Sequence, residues 1–480
     1  MSDSTLDPDN EPLDPFESAY TEGVTAELEP PQRLAEAEGA DGRELLVRAS
    51  PSEAFALKGC VLTPARAIEG GYVVVGAGRE IQSVGEEKPE GVPVHDTEGV
   101  ITPGLIDLHG HPEFNIFAAW EPPRQFINRY AWRGSDLYHA LVREPQNKLL
   151  KALPPKTQLR YAEIRALVGG VTAIQGTGGQ ATSFQDEALV RNVDKWIFGG
   201  QRARSMIDLP SGSRGLPELE SILAGIEDGK VKAFYIHLAE GRSDNARSRE
   251  EFDTLVELNA LTERTVIIHG TALSGDQLGD VKDAGAKLVW SPQSNLRLYG
   301  ETTRAGEALE RGLPVGLGAD WLPSGSTSLL AELKVARRSL QEQGHVPKAK
   351  KLVDMVTRDA AEIAGLEDRL GTLAAQRPAD LVVFDRREED PWENVVAADP
   401  SWIELVMIDG DLAYGRDTVV RKLSDSADHD RLEPLLAWGK PMLLDTSYRA
   451  GEQEDEAPPQ LSALRTALIQ EYPPVGPIFA

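Results

Sequence analysis

The chain has 480 residues, 41% hydrophobic and 26% charged, with a formal net charge of −27. This composition is typical of a globular protein, and no stretch approaches the ~18 consecutive apolar residues of a membrane-spanning helix. The acidic balance, with no basic run to offset it, argues against nucleic acid and anionic membranes as partners. A single cysteine excludes an intrachain disulfide, and together with the lack of a basic and apolar leader segment it favours a cytoplasmic location.

The first segment of the chain, residues 1–44, is far more acidic than the rest. It carries thirteen acidic and two basic side chains and few apolar ones. Such a segment cannot bury enough apolar surface to offset the entropy that it would lose on ordering. We therefore predict an acidic flexible tail over 1–44.

Two strand-rich segments flank the middle of the chain. Residues 45–100 contain "GCVLTP" and "GGYVVVGAGREIQSVG", and residues 372–424 contain "PADLVVFD" and "IELVMIDGDLAYG". Short β-branched runs interrupted by glycine and proline are typical of strands. We predict that the two segments pair into one small β-sandwich. Residues 425–480, with the amphipathic "PQLSALRTALIQEY", are predicted to form a helical extension that packs on the outside.

The middle of the chain, 101–371, spans 271 residues, close to the ~250 of a (β/α)8 barrel. Short apolar runs, "GVTAIQ", "VKAFYIH", "RTVIIHG", "AKLVWSP" and "LPVGLGAD", alternate with helical patterns such as "REEFDTLVELNALTE" and "LLAELKVARRSLQEQG". Alternating strands and helices favour a parallel sheet. The predicted fold class is therefore α/β, a TIM-like (β/α)8 barrel accompanied by the β-sandwich.

Polar side chains end several of these predicted strands in succession. "PGLIDLHGH" ends in His109 and His111, "VKAFYIHLAEG" contains His237 and Glu240, and "PVGLGAD" ends in Asp320. Four of the eight histidines of the chain fall at such positions, the fourth in "TVIIHG". Active sites of parallel α/β folds form at the carboxyl ends of the strands, so these side chains are predicted to meet.

A divalent metal site explains this pattern best. Residues i and i+2 of an extended segment point the same way, so His109 and His111 can both aim at the barrel mouth, with Gly110 allowing close backbone packing. Two imidazoles, a third from His237 and the carboxylate of Asp320 suit one Zn²⁺ or Fe²⁺ with a position left for water. Glu240 would stand beside this site as a proton shuttle. Taken singly, each residue has an ordinary structural reading, and only their joint occurrence favours a site.

The motifs "PGLIDLHGH", "HLAEG", "IHG", "SPQSN" and "GLGADW" resemble, in order and spacing, the amidohydrolase superfamily. The resemblance covers roughly 45–425 and is greatest to the cytosine deaminase-like branch, which includes guanine deaminase-like and triazine (atrazine) hydrolase-like enzymes. It implies that Asp320 also takes the proton of the metal-bound water and that Glu240 protonates a ring or leaving-group nitrogen. It further implies that His269 hydrogen-bonds the water or the developing oxyanion. No lysine ends a middle strand clearly (Lys195 is a poor candidate), which favours a single metal ion.

The segment after the histidine pair, "PEFNIFAAWEPPRQFINRYAWRG", departs from the pattern of the branch. We predict that it shapes the substrate pocket together with the later motifs; a packed lid without substrate contact is the alternative. The predicted substrate-binding residues are Glu113, Asn115, Trp120, Tyr130, Trp132, Arg133, Asn295 and Trp321. Because the segment is unusual, no substrate can be transferred from a relative.

The predicted function is therefore a hydrolase that attacks a C–N or C–Cl bond of a small molecule with metal-activated water, most simply by deaminating an aminated heterocycle. One alternative is a cyclic or linear amidase resembling imidazolonepropionase or a dipeptidase. A second is a non-catalytic homologue of the barrel. A homodimer is compatible with such folds, although the sequence fixes no interface.

Overall fold

A computed structural model of the chain describes residues 51, 53–154, 156–176, 188–446 and 460–479. The predicted acidic tail over 1–44 lies outside these residues. Among the helices in the described ranges, none combines the length and the apolar character needed to cross a membrane.

Eight parallel strands form the part of the fold that carries the site. They lie in two ladders, one of three strands and one of five. The three-stranded ladder consists of Leu105–Asp107, Val171–Ile174 and Arg191–Asn192. The five-stranded ladder consists of Ala203–Met206, Ala233–Leu238, Thr265–His269, Lys287–Trp290 and Val315–Leu317. These strands are almost wholly buried, as expected for parallel strands covered on both faces.

The two ladders approach each other at one edge, where the Leu108 amide donates to the Leu317 carbonyl over 3.2 Å. At the other edge, no strand ladder joins Arg191–Asn192 to Ala203–Met206 in the described residues. Along the chain, a small antiparallel pair, Trp196–Ile197 and Gly200–Gln201, separates these two strands. The arrangement is TIM-barrel-like with parallel sheets, while a fully closed (β/α)8 barrel stays a prediction.

Strands from both sides of the barrel segment pair into one nine-stranded sheet. The junction is the antiparallel pair of Val94–Pro103 with Leu381–Phe384, in which Leu381 lies opposite Pro103. In spatial order the strands are Leu432–Ala437, Lys440–Asp445, Asp411–Arg416, Ile403–Ile408, Leu381–Phe384, Val94–Pro103, Phe55–Leu62, Ala67–Val75 and Ile81–Gly85. The two flanking segments therefore share one sheet, and its division into the two layers of a sandwich stays a prediction.

Helices follow most of the barrel strands. The α-helices are Arg129–Arg133, Asp136–Tyr138, Glu144–Ala152, Thr157–Val168, Leu216–Glu227, Ala246–Glu257, Gly275–Asp283, Pro292–Tyr299, Ala305–Glu310, Leu329–Glu342, Ala349–Asp354, Arg358–Ile363, Pro391–Ala397, Asp417–Leu423 and Leu461–Glu471. Short 3-10 helices lie at Pro112–Phe114, Pro400–Trp402 and Ser426–Arg431, and one π-helical stretch lies at His139–Arg143. Several begin at a side-chain cap; Ser274, for example, forms a capping box with Gln277.

The segment after 424 differs from the predicted helical extension. Strands Leu432–Ala437 and Lys440–Asp445 form a hairpin that pairs with Asp411–Arg416, so the large sheet continues beyond residue 424. Only Leu461–Glu471 is the predicted amphipathic helix, and it packs on helix Thr157–Val168. The apolar face of this last helix explains its docking, because Leu461, Leu464 and Leu468 are all buried there.

Candidate active site

The predicted metal-binding side chains lie at the carboxyl ends of three barrel strands. His109 and His111 follow strand Leu105–Asp107, and His237 is the fifth residue of strand Ala233–Leu238. Asp320 follows strand Val315–Leu317 by three residues. All four side chains are at most 5% exposed, so the group lies in the interior of the barrel mouth rather than on its rim.

Three imidazoles converge on one point. The Nε2 atom of His109 lies 3.1 Å from the Nε2 atom of His111 and 3.1 Å from that of His237. The Asp320 Oδ1 atom completes the group at 3.5 Å from His109 Nε2 and 3.7 Å from His111 Nε2. His269 lies beside this group, with its Nε2 atom 4.0 Å from Asp320 Oδ2. The structure therefore brings together all of the side chains predicted to surround a metal.

These separations suit a single divalent metal. Zinc–ligand bonds of roughly 2.0–2.1 Å in a tetrahedral site place neighbouring ligand atoms about 3.3 Å apart. The nitrogen and oxygen separations of 3.1 to 3.7 Å bracket that value. Buried nitrogen atoms at such distances cannot all satisfy one another by hydrogen bonds, because neutral imidazole has one donor only. The donor set of three imidazoles and a carboxylate fits zinc or iron(II).

Two glycines make the convergence possible. A methyl group on Gly110 would lie 2.7 Å from the Ile174 side chain and 2.9 Å from the Gln175 carbonyl oxygen. At Gly318, it would lie 2.5 Å from the backbone nitrogen of His109 and 2.7 Å from its Cα. The segment with the histidine pair therefore packs closely against two neighbouring strands, and neither Gly110 nor Gly318 has space for a side chain. The sequence predicted this close packing for Gly110.

Three site residues have a positive φ, which favours glycine. His111 has φ 155°, His269 has φ 66° and Asp320 has φ 58°. Such conformations are uncommon for residues with a Cβ and persist where the surroundings hold them. The Asp320 amide donates to the His109 carbonyl over 2.7 Å, which ties the carboxylate-bearing turn directly to the first histidine.

Hydrogen bonds to the distal ring nitrogens orient two of the imidazoles. His109 Nδ1 lies 2.8 Å from the Ser291 hydroxyl, so a proton on Nδ1 leaves the Nε2 lone pair for a metal. His269 Nδ1 lies 2.8 Å from the Asn295 Oδ1 atom. The hydrogen bonds of Thr303 show which end of the Asn295 amide is the nitrogen. The Thr303 hydroxyl donates its hydrogen to the His269 carbonyl, so it accepts from Asn295 Nδ2, and Oδ1 faces His269. Neutral His269 therefore carries its proton on Nδ1 and presents an accepting Nε2 to the site.

Burial dominates the acid–base properties of the group. It lowers the pKa of His111 to about 3 and holds the pKa values of His109 and His237 well below the usual value, with the neighbouring imidazoles adding to the effect. The imidazoles are thus neutral and ready to act as ligands at neutral pH. Burial also raises the pKa of Asp320 to about 6, although His269 opposes this shift.

Glu240 stands beside the convergence point, as predicted. Its Oε2 atom lies 3.7 Å from His269 Nε2, and its Oε1 atom accepts a hydrogen bond of 2.5 Å from the Tyr299 hydroxyl. The indole of Trp132 in turn donates to the Tyr299 oxygen over 2.9 Å. Glu240 is 3% exposed, so its carboxyl faces the enclosed site rather than bulk water.

A cavity opens onto this group. Its walls are formed by His111, Arg129, Trp132, Arg133, Ile207, His237, Glu240, His269, Asp320 and Trp321. Three predicted substrate-binding residues, Trp132, Arg133 and Trp321, are among them. The two indoles pack on each other with ring centroids 5.4 Å apart, and Arg133 forms an ion pair of 2.9 Å with Asp208.

The other predicted substrate-binding residues lie outside the walls of this cavity. Asn115 accepts a hydrogen bond from the Leu322 amide and so anchors the turn after Asp320. Trp120 packs edge-on against Trp321, and Asn295 orients His269.

Glu113 and Tyr130 are the remaining predicted substrate-binding residues outside the cavity walls. Glu113 is buried in the 3-10 helix Pro112–Phe114. Tyr130 turns away to donate to Glu251, with the Arg247 guanidinium over its ring. Local contacts with neighbouring helices therefore decide where side chains of this segment point, which the sequence alone does not give.

Three residues that shape the site were not identified from the sequence, namely Arg129, Ile207 and Tyr299. Arg129 is fully enclosed, where it pairs with Asp208 and Glu251 and donates to the His237 carbonyl. Tyr299 lies four residues after Asn295 on helix Pro292–Tyr299, hence on the same helix face. That spacing is a signal from which Tyr299 could have been found.

Comparisons with known proteins give a family match and similarities in fold. Residues 218–413 match the model of the amidohydrolase family. The chain is similar to the 5-methylthioadenosine/S-adenosylhomocysteine deaminase of Moorella thermoacetica, with 26% identity over 357 residues that cover 67% of this chain and 83% of that protein.

Among solved structures, the chain is similar to the atrazine chlorohydrolase of Arthrobacter aurescens TC1 complexed with zinc. The TM-score is 0.58 at 18% identity, over 75% of this chain and 94% of that one. The guanine deaminase of E. coli gives a TM-score of 0.58 at 18% identity, over 76% of this chain and the whole of that one. At these identities the likeness concerns the fold. The family match concerns residues 218–413, which include His237, Glu240, His269 and Asp320.

Proposed function

We propose that this protein is a metal-dependent hydrolase that removes an amino group from a heterocyclic small molecule. The observation that carries the proposal is the convergence of three imidazole nitrogens and one carboxylate oxygen beneath a cavity that also holds Glu240. The deaminase names of its relatives and the amidohydrolase family match support the same chemistry.

In this proposal His109, His111, His237 and Asp320 hold one metal ion, zinc or iron(II). When bound there, a divalent metal would make hydroxide available near neutral pH by lowering the pKa of a bound water. The neutral state of the buried imidazoles favours such binding, because no proton has to be displaced from them first.

Asp320 is proposed to take the proton from the attacking water. Its Oδ1 atom faces the histidine pair, while its Oδ2 atom faces His269. One oxygen can therefore serve the metal and the other can accept a proton. The Trp321 amide donates to Oδ1 over 2.7 Å and fixes the rotation of the carboxylate.

Glu240 and His269 complete the proposed machinery. His269 presents an accepting Nε2 atom, which suits a hydrogen bond from the attacking water. As an imidazolium it could donate to the oxyanion that develops on the substrate. Glu240 would protonate the departing nitrogen, a general-acid step worth roughly 10²–10⁴ in rate.

The substrate is proposed to be a flat, aminated ring. The indoles of Trp132 and Trp321 and the side chain of Ile207 provide the apolar wall of the cavity, and Arg133 provides a polar edge. Flat aromatic walls suit planar heterocycles, since stacked or edge-to-face contacts contribute beyond simple burial. A cytoplasmic location and a homodimer stay predictions of the sequence.

The experiment is a substrate screen on the zinc-loaded protein with 5′-methylthioadenosine, guanine, cytosine and amino- and chloro-triazines. Release of ammonia or chloride is measured, and an Asp320→Asn variant with the same metal content serves as the control. Ammonia release that the variant lacks would support the proposal. Ring opening without ammonia would identify an amidase, and no turnover with a full complement of metal would contradict the proposed activity.

A further inference from the structure

A chain of two hydrogen bonds ends on the carboxyl group of Glu240. The Trp132 indole donates to the Tyr299 oxygen over 2.9 Å, and the Tyr299 hydroxyl donates to Glu240 Oε1 over 2.5 Å. Trp132, Tyr299 and Glu240 are 5%, 1% and 3% exposed. Water therefore cannot replace either partner easily, and the chain is a fixed part of the site.

The direction of this chain follows from the chemistry of its members. An indole N–H can only donate, so the Tyr299 oxygen must accept from it. The phenol has one hydrogen, and among the described residues Glu240 Oε1 is the acceptor within reach. A buried hydroxyl hydrogen without an acceptor would cost about 1–3 kcal/mol. Oε1 is therefore the accepting oxygen of the carboxyl group, and a proton carried by Glu240 resides on Oε2.

Oε2 is the oxygen that faces the reaction. It lies 3.7 Å from His269 Nε2, and Glu240 forms part of the cavity wall together with Trp132. We propose that Tyr299, oriented by Trp132, is a positioning residue that keeps the Glu240 proton on Oε2 and directs it at the leaving group. The inference rests on the proposed function, because it assumes that a leaving group must be protonated there.

An amino leaving group needs the Glu240 proton, whereas a chloride leaving group does not. The Oε2–H bond of Glu240 breaks and a new N–H bond forms on the amino nitrogen. The C–N bond then breaks with its electron pair on the amino nitrogen, while the pair that the addition of hydroxide placed on the ring nitrogen re-forms the ring double bond. Ammonia departs, and Glu240 is left as a carboxylate that Tyr299 stabilises. A chloride leaving group takes the electron pair of the C–Cl bond and needs no proton. Tyr299 should therefore matter for an amino substrate and hardly at all for its chloro counterpart.

The test compares 5′-methylthioadenosine with its 6-chloro analogue, or another amino and chloro pair that the wild-type protein turns over. For Tyr299→Phe we expect kcat on the amino substrate to fall about 10²-fold, the lower end of a general-acid contribution. KM and the kcat on the chloro analogue should stay within about threefold, since binding and the addition step are unaffected.

Tyr161→Phe is the matched control. Tyr161 is another buried tyrosine, whose hydroxyl donates to the Gly476 carbonyl over 3.0 Å, away from the cavity. Its variant loses one buried hydrogen bond as well, so it reports the general effect of that loss on activity. We expect its ratio of amino to chloro turnover to equal that of the wild type.

A second readout needs no substrate. In a crystal structure of zinc-loaded Tyr299→Phe, the Glu240 carboxyl should rotate away from the position that it holds in the wild type. Equal losses on both leaving groups, or a Glu240 carboxyl that keeps its position, would overturn the inference. If the wild-type protein releases neither ammonia nor chloride, the proposed function fails, and the position of Glu240 in the variant still decides whether Tyr299 positions it.

Discussion

Gly318→Ala tests whether the close approach of two strands sets the position of the first metal-binding histidine. The added Cβ would lie 2.5 Å from the His109 backbone nitrogen and 2.7 Å from its Cα, whereas ordinary contact begins at 3.4 Å. Both are main-chain atoms that cannot swing away as a flexible side chain can. His109 therefore has to move by about 1 Å, which is comparable to the displacement that can cost 10²-fold in a preorganised site.

We expect Gly318→Ala to weaken zinc binding by about 10–100-fold, the range seen when the support of a metal ligand is lost. The assay is a competition titration against a chromophoric chelator, with circular dichroism to establish that the variant is folded. Gly279→Ala is the control, because its new methyl group would meet only the end of the Arg311 side chain at 3.4 Å. Wild-type zinc affinity in a folded Gly318→Ala protein would refute the reasoning.

Three further substitutions probe the acid–base groups. Asp320→Asn should abolish turnover while the far-UV circular dichroism stays unchanged; near-normal turnover would remove its proposed role as base. Glu240→Gln should lower kcat by about 10²-fold or more with little change in KM, as expected for a group that acts in the chemical step; an unchanged kcat would exclude it as the acid. Glu332 is fully enclosed, and burial raises its pKa to about 8 from the usual 4.5. The protonated carboxyl contributes stability below pH 4.5, and this contribution is lost as the pH rises through 8. The stability of Glu332→Gln relative to the wild type should therefore increase between pH 5 and pH 9, with an upper limit of roughly 5 kcal/mol in chemical denaturation. A pH-independent difference would contradict the shifted pKa.

The strands that the sequence revealed are those with continuous apolar runs. Ala233–Leu238, Thr265–His269 and Lys287–Trp290 were all identified in this way. Arg191–Asn192 and Ala203–Met206 were not, because their letters, "RN" and "ARSM", carry no apolar run. The Arg191 guanidinium is buried because its Nε and Nη2 atoms bond both oxygens of Asp380 at 2.9 and 3.0 Å. A buried ion pair between distant segments leaves no local pattern from which such a strand could be predicted.

The hairpin of Leu432–Ala437 and Lys440–Asp445 was missed for a different reason. Pro434 and Pro441 interrupt its strands, and proline usually argues against a strand. Pro434 is tolerated because its strand lies at the edge of the nine-stranded sheet. The turn itself, with positive φ at Trp438 and Gly439, is typical of a two-residue hairpin loop.

The part of the candidate site that lies at strand ends was predictable from the sequence. His109, His111, His237 and Asp320 converge because parallel strands all present their carboxyl ends at one face. Residues on the connecting segments were not predictable in the same way. Tyr130 shows why: its direction is decided by Glu251 and Arg247, which belong to another helix of the fold.

The most direct test of the central claim is anomalous diffraction at the zinc absorption edge from crystals of zinc-loaded protein. We expect a single peak about 2.0–2.2 Å from four side chains, namely His109, His111, His237 and Asp320. Elemental analysis should then give one equivalent of metal, which is lost in the double variant His109→Ala, His111→Ala. A peak elsewhere, or no ion shared by Asp320 and the histidine pair, would contradict the proposed metal site.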